Sequence, residues 1–165
     1  LDKGIGGLRS DLQEKLKEQP DNNFYKAGIQ CLDIFVDCAS HLQQDARDQM
    51  ASADEKRQKE LERICQALEN IKEKKPGTFH EAMQLFWLFA LLAGVINYGR
   101  LDDYLGPYLV ADLKSGRLTD EEAYRYIHSL WTMIENRRTT VNGRIIVGGK
   151  GRKHPKRPTY SCISP

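Results

Sequence analysis

The chain has 165 residues, with 25 Lys plus Arg, 23 Asp plus Glu and a net charge of +2. Hydrophobic residues make up 40%, which is too apolar for a disordered chain, and 13 Gly with 6 Pro exclude collagen and low-complexity sequence. The longest apolar stretch, Leu85 to Ile96, is shorter than the roughly 18 residues of a membrane span, and Leu1-Asp2-Lys3-Gly4 does not open a signal peptide.

Most of the sequence reads as helix. Ser10 and Gln13 have the S-x-x-Q spacing of a capping box, which predicts a short first helix stopping before Pro20. A second helix is predicted from Asn22 to Met50. There Phe24, Ala27, Cys31, Ile34, Phe35, Cys38 and Leu42 recur at three and four and form one buried stripe. A third, from Ala53 to Lys72, turns Leu61, Ile64, Cys65, Leu68 and Ile71 inward and a mixed-charge face to solvent. Lys74-Lys75-Pro76-Gly77 breaks it. Thr78 and Glu81 then open a helix whose body, AMQLFWLFALLAGVIN, is apolar nearly all round. Such a helix is buried on every face, by this chain or by something outside it. Asp102 to Leu113 reads as a helix interrupted at Gly106-Pro107 and stopped at Ser115-Gly116. Thr119 and Glu122 form another capping box, opening a helix through Arg137 with Ala123, Ile127, Leu130, Trp131 and Ile134 as its apolar set. Asn142-Gly143 signals a turn, and Arg144 to Val147 is the one predicted strand. A lone strand needs a partner for its backbone groups. The expected fold is therefore mainly α, a helical bundle with one short strand near the C-terminus.

Self-contained catalytic motifs are absent: the sequence has no Walker loop, no HExxH and no nucleophile elbow. Gly4, Gly6, Gly7 and Gly94 read as turn or packing glycines. His80, in a capping box, and His128, on an amphipathic helix, read as structural. Cys31, Cys38, Cys65 and Cys162 include no CxxC pair and are expected to be buried reduced thiols of a cytosolic protein. Cys38 and His41, three apart, are too little for zinc, and no metal is expected. Lys150 to Arg157 carries five basic residues and no acid, and reads as a solvated tail rather than a nucleic-acid contact. Arg100, Asp102 and Asp103 stand just beyond the apolar helix. They fit either an Arg–Asp pair that holds the chain's re-entry or a rim that positions a small polar substrate.

Three stretches, in order, resemble the glycyl radical enzymes, the pyruvate formate-lyase-like family that includes the diol, choline and hydroxyproline lyases. Pro76 to Gln84 is similar to the family's P-x-T-F-x-E-A-x-Q helix start. Gly99-Arg100-Leu101-Asp102-Asp103-Tyr104-Leu105-Gly106-Pro107-Tyr108 is similar to the G-R-x-D-Q-Y-x-x-P-Y segment of its dehydratase-like branch. Asn142 to Arg152 is similar to its N-G-R-x-x-x-G-G strand and turn, and Gly116 to Ala123 also fits. The resemblance spans residues 1–154, read as a partial domain that forms part of the family's α/β barrel.

The resemblance implies a large anaerobic cytoplasmic enzyme that acts on a small metabolite. A glycyl radical installed by a radical-SAM activase oxidises a cysteine to a thiyl, which takes hydrogen from the substrate before C–C, C–O or C–N cleavage. Nothing here matches the cysteine loop or the R-V-x-G glycyl segment, so no catalytic residue or bound cofactor is carried over, and the chain alone is expected to be inactive. Asn97 and Leu101 map to cavity-lining positions. Thr78, Glu81, Gly99, Arg100, Asp102 and Asp103 map to motif positions with a structural part. The family's usual Gln and Ser are Asp103 and Asn97 here, so no substrate specificity transfers.

The absent initiator Met and the last residues suggest a cut length. Residues 155–165 read as an irregular tail where the family has an acidic-hydrophobic helix. One codon choice from Lys156, read two bases later, gives Ala-Ala-Asp-Leu-Phe-Leu-His-Leu-Ala, so a frameshifted end is expected. Two other readings stay open. One is a helical module that self-associates through the exposed Leu85 to Ile96 face; the other is a small helical regulator. No nucleic-acid or membrane partner is expected.

Overall fold

The computed structural model describes residues 1–138 and 143–148. Helix α1 (Gly4–Glu18) leads into the long α2 (Asn23–Met50) and α3 (Glu55–Glu73). Helix α4 (Phe79–Leu92) is followed by strand β1 (Asn97–Arg100), the single turn α5 (Leu101–Tyr104), α6 (Gly106–Ser115), α7 (Asp120–Asn136) and strand β2 (Arg144–Ile146). The mainly α expectation holds. Asn142, the basic run Lys150 to Arg157, Cys162 and the tail 155–165 lie outside the described residues.

The starts of α2, α3, α4 and α7 follow from short polar side chains that accept otherwise unpaired N–H groups. Asn22 accepts from Phe24 and Tyr25, Asp54 from Arg57, and Thr78 from Glu81. Thr119 and Glu122 complete a reciprocal capping box. Glu81 does not close its box on Thr78. Its carboxylate accepts from the Gly77 N–H at 2.6 Å and from the Asn70 amide at 2.8 Å, which ties α4 to the end of α3.

The first helix departs from expectation. It begins at Gly4, six residues before Ser10, and the Ser10 hydroxyl donates to the Gly6 carbonyl within the helix at 3.0 Å. Ser10 cannot cap a turn that already precedes it. The early start has a packing reason: a Cβ on Gly6 would stand 2.0 Å from the Glu73 carbonyl oxygen, so only glycine allows this approach of α1 to α3.

Helix α4 separates two apolar cores. Phe79, Ala82, Met83, Phe86 and Ala90 pack with Tyr98, Leu101, Leu105, Leu118, Ala123 and Leu130. Leu85 and Leu88 turn the other way, onto Ile5, Phe35, Ala39, Leu68 and Ile71. Burial of Leu68 and Ile71 contributes about 2 kcal/mol each. A helix with a core on both sides must be apolar on both sides. The burial is incomplete, because Phe89, Leu91, Leu92 and Ile96 are exposed. Buried Gln43 pins α2 to α3: its amide donates to the Cys65 carbonyl at 2.9 Å and its oxygen accepts from Lys72 at 2.8 Å.

The predicted strand has its partner in β1, which the sequence did not reveal. The pair is parallel, with Asn97 opposite Arg144, Gly99 opposite Ile145 and Arg100 opposite Ile146. Two residues of β1 therefore oppose one of β2 around Tyr98. Asn and Gly are poor strand formers, and Gly99 adopts φ +61° with open space where a Cβ would be. Glycine serves there for backbone conformation, not for room.

Candidate functional site

The strand pair carries the cluster that the motifs single out. The Arg100 guanidinium donates to the Gly148 carbonyl at 2.8 Å, and the Gly148 N–H donates to the Asp102 carboxylate at 2.8 Å. Two side chains from one motif thus grip both backbone groups of one glycine in the other. This clamp extends the β1–β2 pairing beyond its last registered pair. Arg100 and Asp102 together hold the backbone of a segment distant in sequence. Asp102→Ala removes the anchor of the Gly148 N–H, a charge-assisted bond worth about 2 kcal/mol. The expected result is at least about tenfold faster amide exchange at Gly148, with the α2–α3 amides unchanged. Equal protection at Gly148 in the variant would refute the clamp.

Beside the clamp, β1 borders an open cleft of ≈ 810 Å³, walled by Phe86, Phe89 and Ala90 of α4 and by Leu1 to Ile5. Its polar groups come from Asn97, Tyr98 and Tyr104 and from the charged Asp2 and Lys3. The Asn97 side-chain oxygen accepts from the Gly99 N–H at 3.2 Å, which fixes its orientation on the strand. The Tyr104 hydroxyl donates to the Tyr98 carbonyl at 2.7 Å, and burial pushes its pKa well above the ordinary tyrosine value. Behind the strand, Arg137 Nη1 donates to the Val95 carbonyl at 2.6 Å, the Tyr98 hydroxyl at 3.1 Å and the Ala90 carbonyl at 3.4 Å. One guanidinium thereby joins the ends of α4 and α7 to β1.

The structure brings Asn97, Gly99, Arg100 and Asp102 together. Leu101 is 4% exposed and packs into the core behind them, and Asp103 is half-buried on α5. Thr78 and Glu81 sit at the other end of α4, where they cap it. The thiols correct the sequence expectation: Cys65 is buried, Cys38 is half-buried and Cys31 is exposed. Cys31 falls on the solvent edge of the α2 stripe, which is narrower than its periodicity implied; Phe24, Ile34 and Leu42 are exposed as well. His41 Nδ1 lies 2.8 Å from the Asp37 carbonyl oxygen, one turn back on its own helix. Sequence reasoning missed Tyr98, Tyr104 and Arg137. Tyr104 lay inside a quoted motif, whereas nothing local marked Arg137.

A helical chain whose two short strands pair in parallel through this clamp has the architecture of one part of a glycyl radical enzyme. The pyruvate formate lyase-like family model matches residues 1–154, and the chain belongs to that family. It is 28% identical over 152 residues to trans-4-hydroxy-L-proline dehydratase of Clostridioides difficile, covering 81% of this chain and 19% of that protein. It is 29% identical over 148 residues to isethionate sulfite-lyase of Bilophila wadsworthia, covering 79% and 18%. A glycyl radical enzyme from Archaeoglobus fulgidus superposes with a TM-score of 0.73 at 24% identity, over 79% of this chain and 19% of that one. The chain thus spans about a fifth of the length of these relatives.

Proposed function

We propose that this chain supplies one wall of the substrate cavity of a radical lyase or dehydratase and is catalytically silent by itself. The observation that carries the reading is Asn97, set on β1 at the mouth of the ≈ 810 Å³ cleft and fixed by the Gly99 N–H. In it Asn97 offers hydrogen bonds to a small polar metabolite, and Leu101 shapes the cavity from behind. The relatives' names, a hydroxyproline dehydratase and an isethionate sulfite-lyase, support that substrate class. Radical chemistry needs a closed, dry cavity, and the cleft is open in this chain. The cytoplasm of an anaerobic cell fits such chemistry, since oxygen quenches glycyl radicals.

The test is anaerobic incubation of the chain with a radical-SAM activase and S-adenosylmethionine, followed by electron paramagnetic resonance. The expected result is no glycyl radical, because no R-V-x-G segment occurs in the sequence. A radical on this chain, or turnover of hydroxyproline or isethionate by it alone, would overturn the reading.

A second reading rests on the exposed Phe89, Leu91, Leu92 and Ile96 at the end of α4. An apolar patch of this kind drives self-association. Light scattering is expected to show a concentration-dependent dimer or larger species, and a strict monomer would sink this reading.

A further inference from the structure

We propose that the groove between α3, α4 and α7 binds a small planar anion, an aromatic or heteroaromatic ring carrying one carboxylate. This inference is independent of the preceding reading, for the groove and the cleft beside β1 have no lining residue in common.

The groove holds ≈ 340 Å³, within the range of small-ligand sites and near its lower end. His80, Trp87 and Tyr126 give part of its lining an aromatic character. The His80 ring stacks on Tyr126, with centroids 4.9 Å apart and planes 17° from parallel. Burial lowers the His80 pKa from its ordinary value, which favours the neutral imidazole. The Gln84 amide lies 3.3 Å from its Nε2. Trp87 adds a broad aromatic surface alongside. A flat ring gains offset or edge contacts from such surroundings.

The rim carries three arginines: Arg57 and Arg63 stand on α3 and Arg125 on α7. Arg57 pairs with Glu60 at 3.0 Å and Arg125 with Glu121 at 2.5 Å, each within its own helix. Those pairs orient the guanidiniums without closing the groove. Arg63 alone reaches across, to Glu122 at 3.8 Å, and both side chains are substantially exposed. That is too long for a good hydrogen bond, and exposed pairs of this kind are weak. The other oxygen of Glu122 is committed to the Thr119 N–H and hydroxyl, both at 3.0 Å. An arriving carboxylate can therefore take Arg63 without breaking the helix cap. The guanidinium plane matches a carboxylate through two parallel bonds. Glu60, Glu121 and Glu122 stand against the three arginines, so the rim is close to neutral and an anion gains its contact by displacing the long Glu122 pairing from Arg63.

The probe is nicotinate, with nicotinamide as its neutral isostere and inorganic phosphate as charge without a ring. The readout is the pair of indole N–H resonances from Trp87 and Trp131 in the intact chain. Nicotinate is expected to shift Trp87 saturably and leave Trp131 in place. Nicotinamide is expected to bind at least about tenfold more weakly, and phosphate is expected to leave Trp87 unmoved. Arg63→Ala, on an exposed helix face, is expected to weaken nicotinate about tenfold, the equivalent of one charge-assisted contact. An unshifted spectrum outside the groove verifies that this variant is folded. No Trp87 shift at nicotinate on the order of 10 mM overturns the site. Equal affinity for nicotinamide, a Trp87 shift with phosphate, or no effect of Arg63→Ala also overturns it.

Discussion

Asp112→Ala is expected to destabilise the chain by about 3 kcal/mol. Asp112 is 4% exposed, and its carboxylate does two jobs. One oxygen accepts the Phe79 N–H at 2.7 Å. The other accepts two bonds from Arg117, at 2.7 Å and 3.0 Å. The Phe79 N–H belongs to the first turn of α4 and has no partner within its helix. Phe79 is 2% exposed, so water does not replace Asp112 if the carboxylate is removed. Arg117 is 55% exposed and rehydrates, so its half of the interaction contributes less. Asp112→Asn keeps an acceptor in place and is expected to lose about half as much. Urea unfolding followed by circular dichroism measures both. A loss below about 1 kcal/mol in the alanine variant would show that α4 does not depend on this remote cap.

Gly6→Ala is expected to destabilise by about 2–3 kcal/mol, opposite in sign to what helix propensity predicts. In an isolated helix the change stabilises by about 1 kcal/mol. Here the new methyl would stand 2.0 Å from the Glu73 carbonyl oxygen, a backbone atom at the end of α3. Either α1 lifts away or the end of α3 moves, and both open the core around Ile5 and Ile71. Gly7→Ala is the control. Its methyl would meet only Lys3, with the Cβ at 3.0 Å, so the residue ahead of α1 has to give by only a few tenths of an ångström. The control is expected to lie between no change and a gain of about 1 kcal/mol, the helix-propensity term less the small local adjustment at Lys3. Comparison of the two unfolding midpoints tests the argument, which fails if Gly6→Ala is the more stable variant.

The helices were legible because their signals are local. Asn22, Asp54, Thr78 and Thr119 each cap the helix that follows within one turn. Ser10 carried the same signal and misled, because glycines before it allowed a helical turn that the α1–α3 contact rewards. The interruption at Gly106-Pro107 and the stop at Gly116 were read correctly, since both depend on the backbone limits of single residues. The α2 stripe was read too broadly, because periodicity reports which residues share a face and not how much of that face a neighbour covers.

The candidate site divides in the same way. Asn97, Arg100 and Asp102 were marked by motif. Their joint action on the backbone of Gly148 was not, because 46 and 48 residues separate the partners and backbone groups leave no trace in sequence. Arg137 was invisible for the same reason: two of its three acceptors are main-chain carbonyls of Ala90 and Val95.

The sequence by itself determined the mainly α character, the helix boundaries set by caps and breakers, and membership of the pyruvate formate lyase-like family. Each is recorded in residues near one another or in the order of short motifs. Only the tertiary structure decided that β1 exists, that α4 divides two cores and that Arg100 and Asp102 hold Gly148. Those features depend on contacts between distant segments. There the burial of apolar side chains and the pairing of backbone groups outweigh the weak local preferences of a stretch such as Asn97-Tyr98-Gly99-Arg100.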